Sequence, residues 1–397
     1  MSTLIAILAL GFLIVVHEAG HFVVARLCGM RVDRFSIGFG PGILKRTARS
    51  GTVFQIAPIP FGGFVEIKGM NIAEEVDPDD KEAYPNRPAW QRFVTIFAGP
   101  ATNYLSAIVL AFGLYTCHGV DVRRTHSQVA GFLEGYDSAS KLKVGDDIIA
   151  ADGSEIILGQ GTSLSQRVID KGGQPVTLTV ERNGARHDVT ITPKLATDKA
   201  GKTLTTDDDK PIYRLGIQLS TSKAVDTGVL DAAQMALVYP IDKTKEIGAG
   251  LYEIIKDVSK ADPGGAIRIV GEFTKAFDEG FVWGIKLLML LSVYLGLFNL
   301  FPLPALDGGR LVFLGYELVT RRRANPKIEA TVHMAGVMVL FVALILVTVR
   351  DVGWLFNGDD EAEHPSKHQP AKPEPAAPQP APSAGSASQT PAPPAQP

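Results

Sequence analysis

His17-Glu18-Ala19-Gly20-His21 sets two imidazoles four residues apart, with a carboxylate beside the first. On an α-helix, residues i and i+4 share a face. Both histidines can therefore reach one zinc ion while Glu18 handles a proton. The pentamer lies inside an apolar run, with Leu4 to Val16 before it and Phe22 to Ala25 after it. Ionisable side chains at membrane depth are costly and point to a functional site. The plain alternative is a pair of helix-packing histidines.

A catalytic zinc usually takes three protein ligands and leaves a fourth position for water. The strongest candidate for the third ligand is Asp307, in Asn299-Leu-Phe-Pro-Leu-Pro-Ala-Leu-Asp-Gly-Gly-Arg310. An acid there is expensive, and the two glycines after it allow close backbone approach. Pro302 and Pro304 forbid a regular helix, and unwound backbone is tolerated at such a depth where it lines a cavity. The alternative for Asp307 is a helix-terminal cap at the interface.

These residues need spans to carry them. The chain has 397 residues, 46% of them hydrophobic, and a mean hydropathy of +0.13. That is too apolar for an ordinary soluble enzyme and too polar for a pure membrane bundle, so a few spans plus a soluble domain are expected. About 20 apolar residues cross a bilayer. Four stretches qualify: 4–27, 93–117, 281–303 and 331–349. The sequence thus divides into a first transmembrane helix with the pentamer (1–28), a loop with a β-hairpin (29–90), and a second transmembrane helix (91–118). A β-rich module (119–200) and a linker with amphipathic helices (201–280) follow. A third transmembrane helix carries Asp307 (281–310), a loop (311–330) leads to a fourth (331–350), and a tail completes the chain (358–397).

Lys/Arg bias orients the spans. Arg26, Arg31, Arg34, Lys45, Arg46 and Arg49 follow the first span, and Arg310, Arg321, Arg322, Arg323 and Lys327 lie between the third and fourth. Both loops should be cytoplasmic, leaving both termini and the 119–280 segment outside. Met1-Ser-Thr3 lacks the basic region of a cleavable signal peptide, so the first span should stay in the mature protein. Cys28 and Cys117 end successive spans on opposite faces and cannot pair. A net charge of -3 gives no support for nucleic-acid binding.

Within the loop, Thr52 to Lys68 reads as two short apolar strands around a Pro/Gly turn, a hairpin able to dip into the membrane. In the module, Val176 to Ile191 is a hairpin with a type I′ turn at Asn183-Gly184. Residues 228–260 read as an amphipathic helix. The tail holds eleven prolines between Pro365 and Pro397 and should be disordered. His118, His126, His187 and His333 lack ligand spacing and read as surface or packing residues. His364 and His368 fall in the tail.

The sequence resembles the site-2 protease family of intramembrane zinc metalloproteases, in the bacterial branch with one PDZ domain, the regulator-of-sigma-E proteases. His17 to His21 matches its first motif and Asn299 to Gly309 its second. Phe39-Gly-Pro41, Ile59 to Phe64 and Ala98 to Asn103 are supporting matches, over about residues 1–350 in all. The resemblance implies a polytopic α-helical fold of four spans, a membrane-associated hairpin and an inserted extracytoplasmic PDZ domain. It implies zinc held by His17, His21 and Asp307, Glu18 as general base, and Asn299 and Pro302 as contacts to the substrate strand. Substrates would be single-span regulatory membrane proteins or remnant signal peptides in the inner membrane, with the PDZ domain gating access. Arg310 stands where many relatives carry His, and no catalytic role attaches to it. Two other classes stay open: a catalytically silent membrane adaptor with a PDZ domain, and a transporter with zinc as cargo.

Overall fold

The computed structural model describes residues 2–71, 74–197, 203–206, 210–257 and 266–357. In chain order, α1 (Ser2–Leu27) leads into β1 (Val32–Phe39), β2 (Leu44–Thr47), β3 (Val53–Ile56) and β4 (Ile59–Ile67), then α2 (Ala89–His118). Next come β5 (Val120–Phe132), α3 (Ser138–Lys141), β6 (Asp147–Ala151), β7 (Ser154–Glu155) and α4 (Leu164–Asp170). β8 (Val176–Arg182), β9 (Ala185–Ile191), β10 (Lys194–Leu195), β11 (Tyr213–Arg214) and β12 (Ile217–Val225) complete the strands. The last helices are α5 (Val229–Lys256), α6 (Ala266–Glu279), α7 (Phe281–Leu300), α8 (Asp307–Thr320) and α9 (Pro326–Asn357). Two compact units result: one from the described residues up to 122 together with those from 224 to 357, the other within 123–223.

The first unit is helical. Among the described residues, four of its helices are long and apolar enough to cross a membrane: α1, α2, α7 and the 326–349 part of α9. At about 1.5 Å per residue, α1 is about 39 Å long, more than the ~30 Å hydrocarbon core requires. Its buried stripe is Ala6, Leu13, His17, Gly20, His21 and Ala25, so the pentamer faces its neighbours and not lipid. α2 answers with Ile96, Gly99, Pro100, Asn103, Ala107, Ala111 and Leu114, a near-perfect 3.6-residue repeat of mostly small residues. The two helices come so close that a Cβ on Gly20 would stand 2.4 Å from the Ala98 carbonyl oxygen.

The span expected over 281–303 ends at Leu300. Residues before a proline avoid the α region, and Pro302 and Pro304 cannot donate, so 301–306 is unwound and a separate helix, α8, restarts at Asp307. The first half of the expected 311–330 loop is therefore helix, through Thr320. The left-handed Arg321 (φ 57) ends it. The fourth span begins earlier than expected, at Pro326, whose fixed φ suits a first helical turn. Where residues 228–260 were read as an amphipathic helix, α5 runs over Val229–Lys256.

The expected hairpin over 52–68 is a four-stranded sheet of order β2-β3-β1-β4. β3 and β4 do not pair; β1 lies between them, parallel to β3 and antiparallel to β4. The Ala57 amide still donates to the Ile37 carbonyl on β1, whereas Pro58 has no N–H for a ladder, and the chain crosses to the far side of β1. Phe22 of α1 meets Phe35 and Phe54 edge-on, at 5.6 and 5.5 Å between ring centroids, and ties the sheet to the first span. Arg92 at the start of α2 bonds Glu317 of α8 at 2.6 Å. Tyr84 is half-buried beside Arg92, and burial pushes its hydroxyl up to about 12.

The second unit is a sheet of order β12-β5-β6-β8-β9, with β7 on β6 and the short helices α3 and α4. Its core is aliphatic: Val129, Leu142, Ile148, Leu164, Val176, Leu178, Val180, Ile191 and Leu215. Asn183 takes the left-handed φ of 51 that its turn demands. Asp146 is fully enclosed and receives two bonds of 2.7 Å from the Arg182 guanidinium and one of 2.8 Å from the Lys143 amide. These donors, Arg182 first, hold its carboxyl below the ordinary 3.8. The module extends past its expected end at residue 200, because β12, within the supposed linker, pairs with β5 about a hundred residues earlier. Residues 358–397, where a disordered tail was expected, lie outside the described residues.

Candidate metal centre

Three side chains from two separated elements converge. The Nε2 atoms of His17 and His21 stand 3.2 Å apart, and Asp307 Oδ2 lies 3.1 Å from the first and 3.3 Å from the second. Both rings are 7% exposed. Asp307 arrives because α8 begins with it immediately after the break at 301–306.

The hydrogen-bond chemistry fits a cation among these atoms. His21 Nδ1 lies 2.8 Å from the backbone carbonyl of Thr95. A carbonyl only accepts, so Nδ1 carries a proton, and in the neutral ring Nε2 then presents a lone pair. His17 Nδ1 lies 3.1 Å from the side-chain amide of the fully buried Asn103, whose Oδ1 otherwise has no partner. Turning the amide oxygen toward Nδ1–H satisfies that oxygen and gives His17 the same tautomer. Asp307 Oδ2 is buried and accepts no hydrogen bond. Three lone pairs aimed at one another repel unless a cation sits among them. Zinc bonds of ~2.0–2.1 Å imply ligand–ligand edges of about 3.3 Å in a tetrahedron, close to the separations seen.

The surrounding backbone is shaped to this cluster. A Cβ on Gly99 of α2 would fall 2.2 Å from His21 Nε2 and 2.8 Å from His17 Cε1, so only glycine admits the two rings. A Cβ on Gly308 would meet the Phe301 carbonyl oxygen at 2.0 Å, which explains the glycine after Asp307. Glu18 is half-buried at the same level and lies against β4, where a Cβ on Gly63 would stand 3.7 Å from Glu18 Cγ. β4 is an edge strand of its sheet, so the strand beside Glu18 has one unpaired side.

Asn299 ends half-buried on the last turn of α7, and Pro302 is exposed in the break. Among the described contacts, neither is bonded to His17, His21 or Asp307. His126 lies in the second unit, where its Nδ1–H donates to the Ile156 carbonyl at 2.8 Å. Sequence reading gave no site role to four residues that frame the site: Thr95, Gly99 and Asn103, the last two inside the Ala98 to Asn103 match, and His333, read as a surface or packing residue. A signal was available for Asn103, a polar residue four positions after a glycine inside an apolar span.

Similarity to known proteins agrees with this centre. The model of peptidase family M50 matches residues 5–343. A protein of Fusobacterium nucleatum, provisionally named a zinc metalloprotease, is 34% identical over 358 residues, covering 90% of this chain and 100% of that protein. Proteins of Brucella suis (30% identical; 85% of this chain, 91% of the relative) and Rickettsia conorii (29%; 88% and 98%) carry the same provisional description. Among solved structures, the PDZ domain of an SdrC-like protein from Listeria monocytogenes aligns at 25% identity, 25% of this chain and 93% of that one, with a TM-score of 0.18. With its family match running through both halves of the metal centre, the chain belongs to peptidase family M50, the site-2 protease family.

Proposed function

We propose that this zinc metalloprotease cuts peptide bonds within the transmembrane helices of single-span membrane proteins, holding zinc with His17, His21 and Asp307. The observation that carries the reading is the convergence of three unprotonated ligand atoms beside a carboxylate, inside apolar helices. Zinc bound there supplies a Lewis acid and lowers the pKa of a coordinated water to about 7. Glu18 takes the proton of the attacking water as the water oxygen bonds to the peptide carbonyl carbon. It then delivers that proton to the amine nitrogen as the C–N bond breaks.

A helical substrate hides its scissile carbonyl in i→i−4 hydrogen bonds and must unwind locally. The free edge of β4 beside Glu18 offers backbone partners for the unwound strand, by strand addition. Asn299 and Pro302, at the mouth of the break, contact that strand. The second unit is read as a PDZ domain gating access, and the Lys/Arg distribution as placing it and both termini outside the inner membrane. Regulatory proteins that restrain sigma factors, and remnant signal peptides, are the substrate class.

The test is cleavage of a single-span substrate in liposomes by wild type and by Glu18→Gln, both at full zinc occupancy. Cleavage inside the span by wild type alone supports the reading. Equal cleavage by both refutes the role of Glu18. No cleavage by either, with zinc bound in both, moves the reading to the silent adaptor.

A further inference from the structure

We infer that His333, on the fourth span, is a positioning residue for Asp307: its Nδ1 fixes the unwound segment that delivers the carboxylate to the two histidines. This rests on the reading of His17, His21 and Asp307 as the zinc ligands.

The argument is an account of backbone N–H groups. An unpaired N–H at membrane depth is costly, so each must find an acceptor. In 301–306, Pro302 and Pro304 have no N–H. Phe301 donates to the Phe298 carbonyl at 3.1 Å, Leu303 to Phe301 at 2.7 Å, and Leu306 to Leu303 at 3.3 Å. Ala305 remains. Its N–H donates to His333 Nδ1 at 3.1 Å, the one bond in the segment whose acceptor comes from another span. Ala305 also has a φ of 79, a left-handed conformation that a residue with a Cβ adopts only when its surroundings hold it. Asp307 is two residues further on, so any relaxation of Ala305 moves the carboxylate.

The fourth span is fitted to this segment at further points. A Cβ on Gly336, one turn beyond His333, would lie 2.2 Å from Pro304 Cβ. A Cβ on Gly309 would meet His333 Cε1 at 3.1 Å and the Leu303 carbonyl oxygen at 2.5 Å. The His333 ring rests on Phe313 of α8 at 5.9 Å between centroids. Its Nε2 is enclosed without a partner, so the ring is oriented by Nδ1 and by Phe313. To accept from Ala305, Nδ1 must be unprotonated.

The test is a substitution series in the full-length protein in detergent, with zinc affinity measured by competition against a fluorescent chelator. Asparagine places its oxygen where Nδ1 sits; glutamine places it nearer Nε2; leucine offers no acceptor. His333→Asn should keep zinc affinity within about threefold, whereas His333→Gln and His333→Leu should lose about 10–100-fold, the usual cost of an outer-sphere partner. Thermal unfolding of the zinc-free protein should be alike for the Asn and Gln variants. Should the leucine variant fail to fold, the Asn–Gln pair alone decides. Equal affinity for Asn and Gln, or a series that stays within threefold of wild type, overturns the proposal. Asp307→Asn, run alongside, separates the two claims. If it too binds zinc like wild type, the ligand set itself is wrong; if it loses zinc while the His333 series is flat, only the role of His333 falls.

Discussion

Gly99→Ala pits helix propensity against the geometry of the centre. Alanine is favoured over glycine inside a helix by about 1 kcal/mol, so propensity alone predicts a more stable α2. The added methyl, however, would stand 2.2 Å from His21 Nε2, 2.5 Å from its Cε1 and 2.8 Å from His17 Cε1, where ordinary contact begins at 3.4 Å. Relief requires one imidazole to retreat by more than 1 Å. His21 cannot swing away without losing its 2.8 Å bond to the Thr95 carbonyl. Metal–ligand distances tolerate about 0.2 Å, and a 1 Å misplacement at a reacting centre costs on the order of 100-fold. Gly99→Ala should therefore lower zinc affinity by about 100-fold or more, and the zinc-free protein should not show the ~1 kcal/mol gain that propensity alone predicts, because the displaced ring gives up a buried hydrogen bond. Gly113→Ala, in the same helix with open space around it, is the control and should change neither. Chelator competition and thermal unfolding, run with and without zinc, give both quantities. Wild-type zinc affinity in Gly99→Ala would refute the placement of the two rings.

Asn103→Leu removes the partner of His17 Nδ1 and should lower zinc affinity about 10–100-fold. Thr95→Val keeps the backbone carbonyl that His21 uses and should leave that affinity unchanged, both by the same competition assay. Arg92→Met strands a mostly buried Glu317 and should destabilise the protein by about 3 kcal/mol, with Arg92→Met/Glu317→Met recovering most of the loss in thermal melts. Because Asp146 has a folded-state pKa below its ordinary 3.8, its bonds contribute full stability above that value, and the contribution is lost as pH falls through the folded pKa. Hydrogen exchange in residues 123–223 of the full chain should accelerate below about pH 4, and Asp146→Asn should flatten that dependence at the cost of slower exchange at pH 7 being lost.

The chemistry was legible early because membrane depth makes polarity expensive. His17, Glu18, His21 and Asp307 stand out against apolar neighbours, whereas the same residues on a soluble helix would blend into a polar face. Asn103 was visible for the same reason but had no spacing to a partner within its own helix. His333 read as a packing residue because its partner is a backbone N–H, and which amide lacks an acceptor depends on where the chain unwinds.

From sequence alone came the four apolar segments, the pentamer on one helical face, the proline-broken approach to Asp307 and the type I′ turn at Asn183-Gly184. Each is a local matter of periodicity, backbone restriction or transfer cost. Tertiary structure decided what depends on distant pairing. β1 separates β3 from β4, since a strand's partner is chosen by the surface it can share and not by the shortest loop. β12 closes the second unit's sheet against β5 across about a hundred residues. The closest case is the candidate metal centre: Asp307 stood out in the sequence, but its approach to His17 and His21 depends on the close packing of α1 and α2 at Gly20 and Gly99 and on a left-handed Ala305 whose N–H is met from another span.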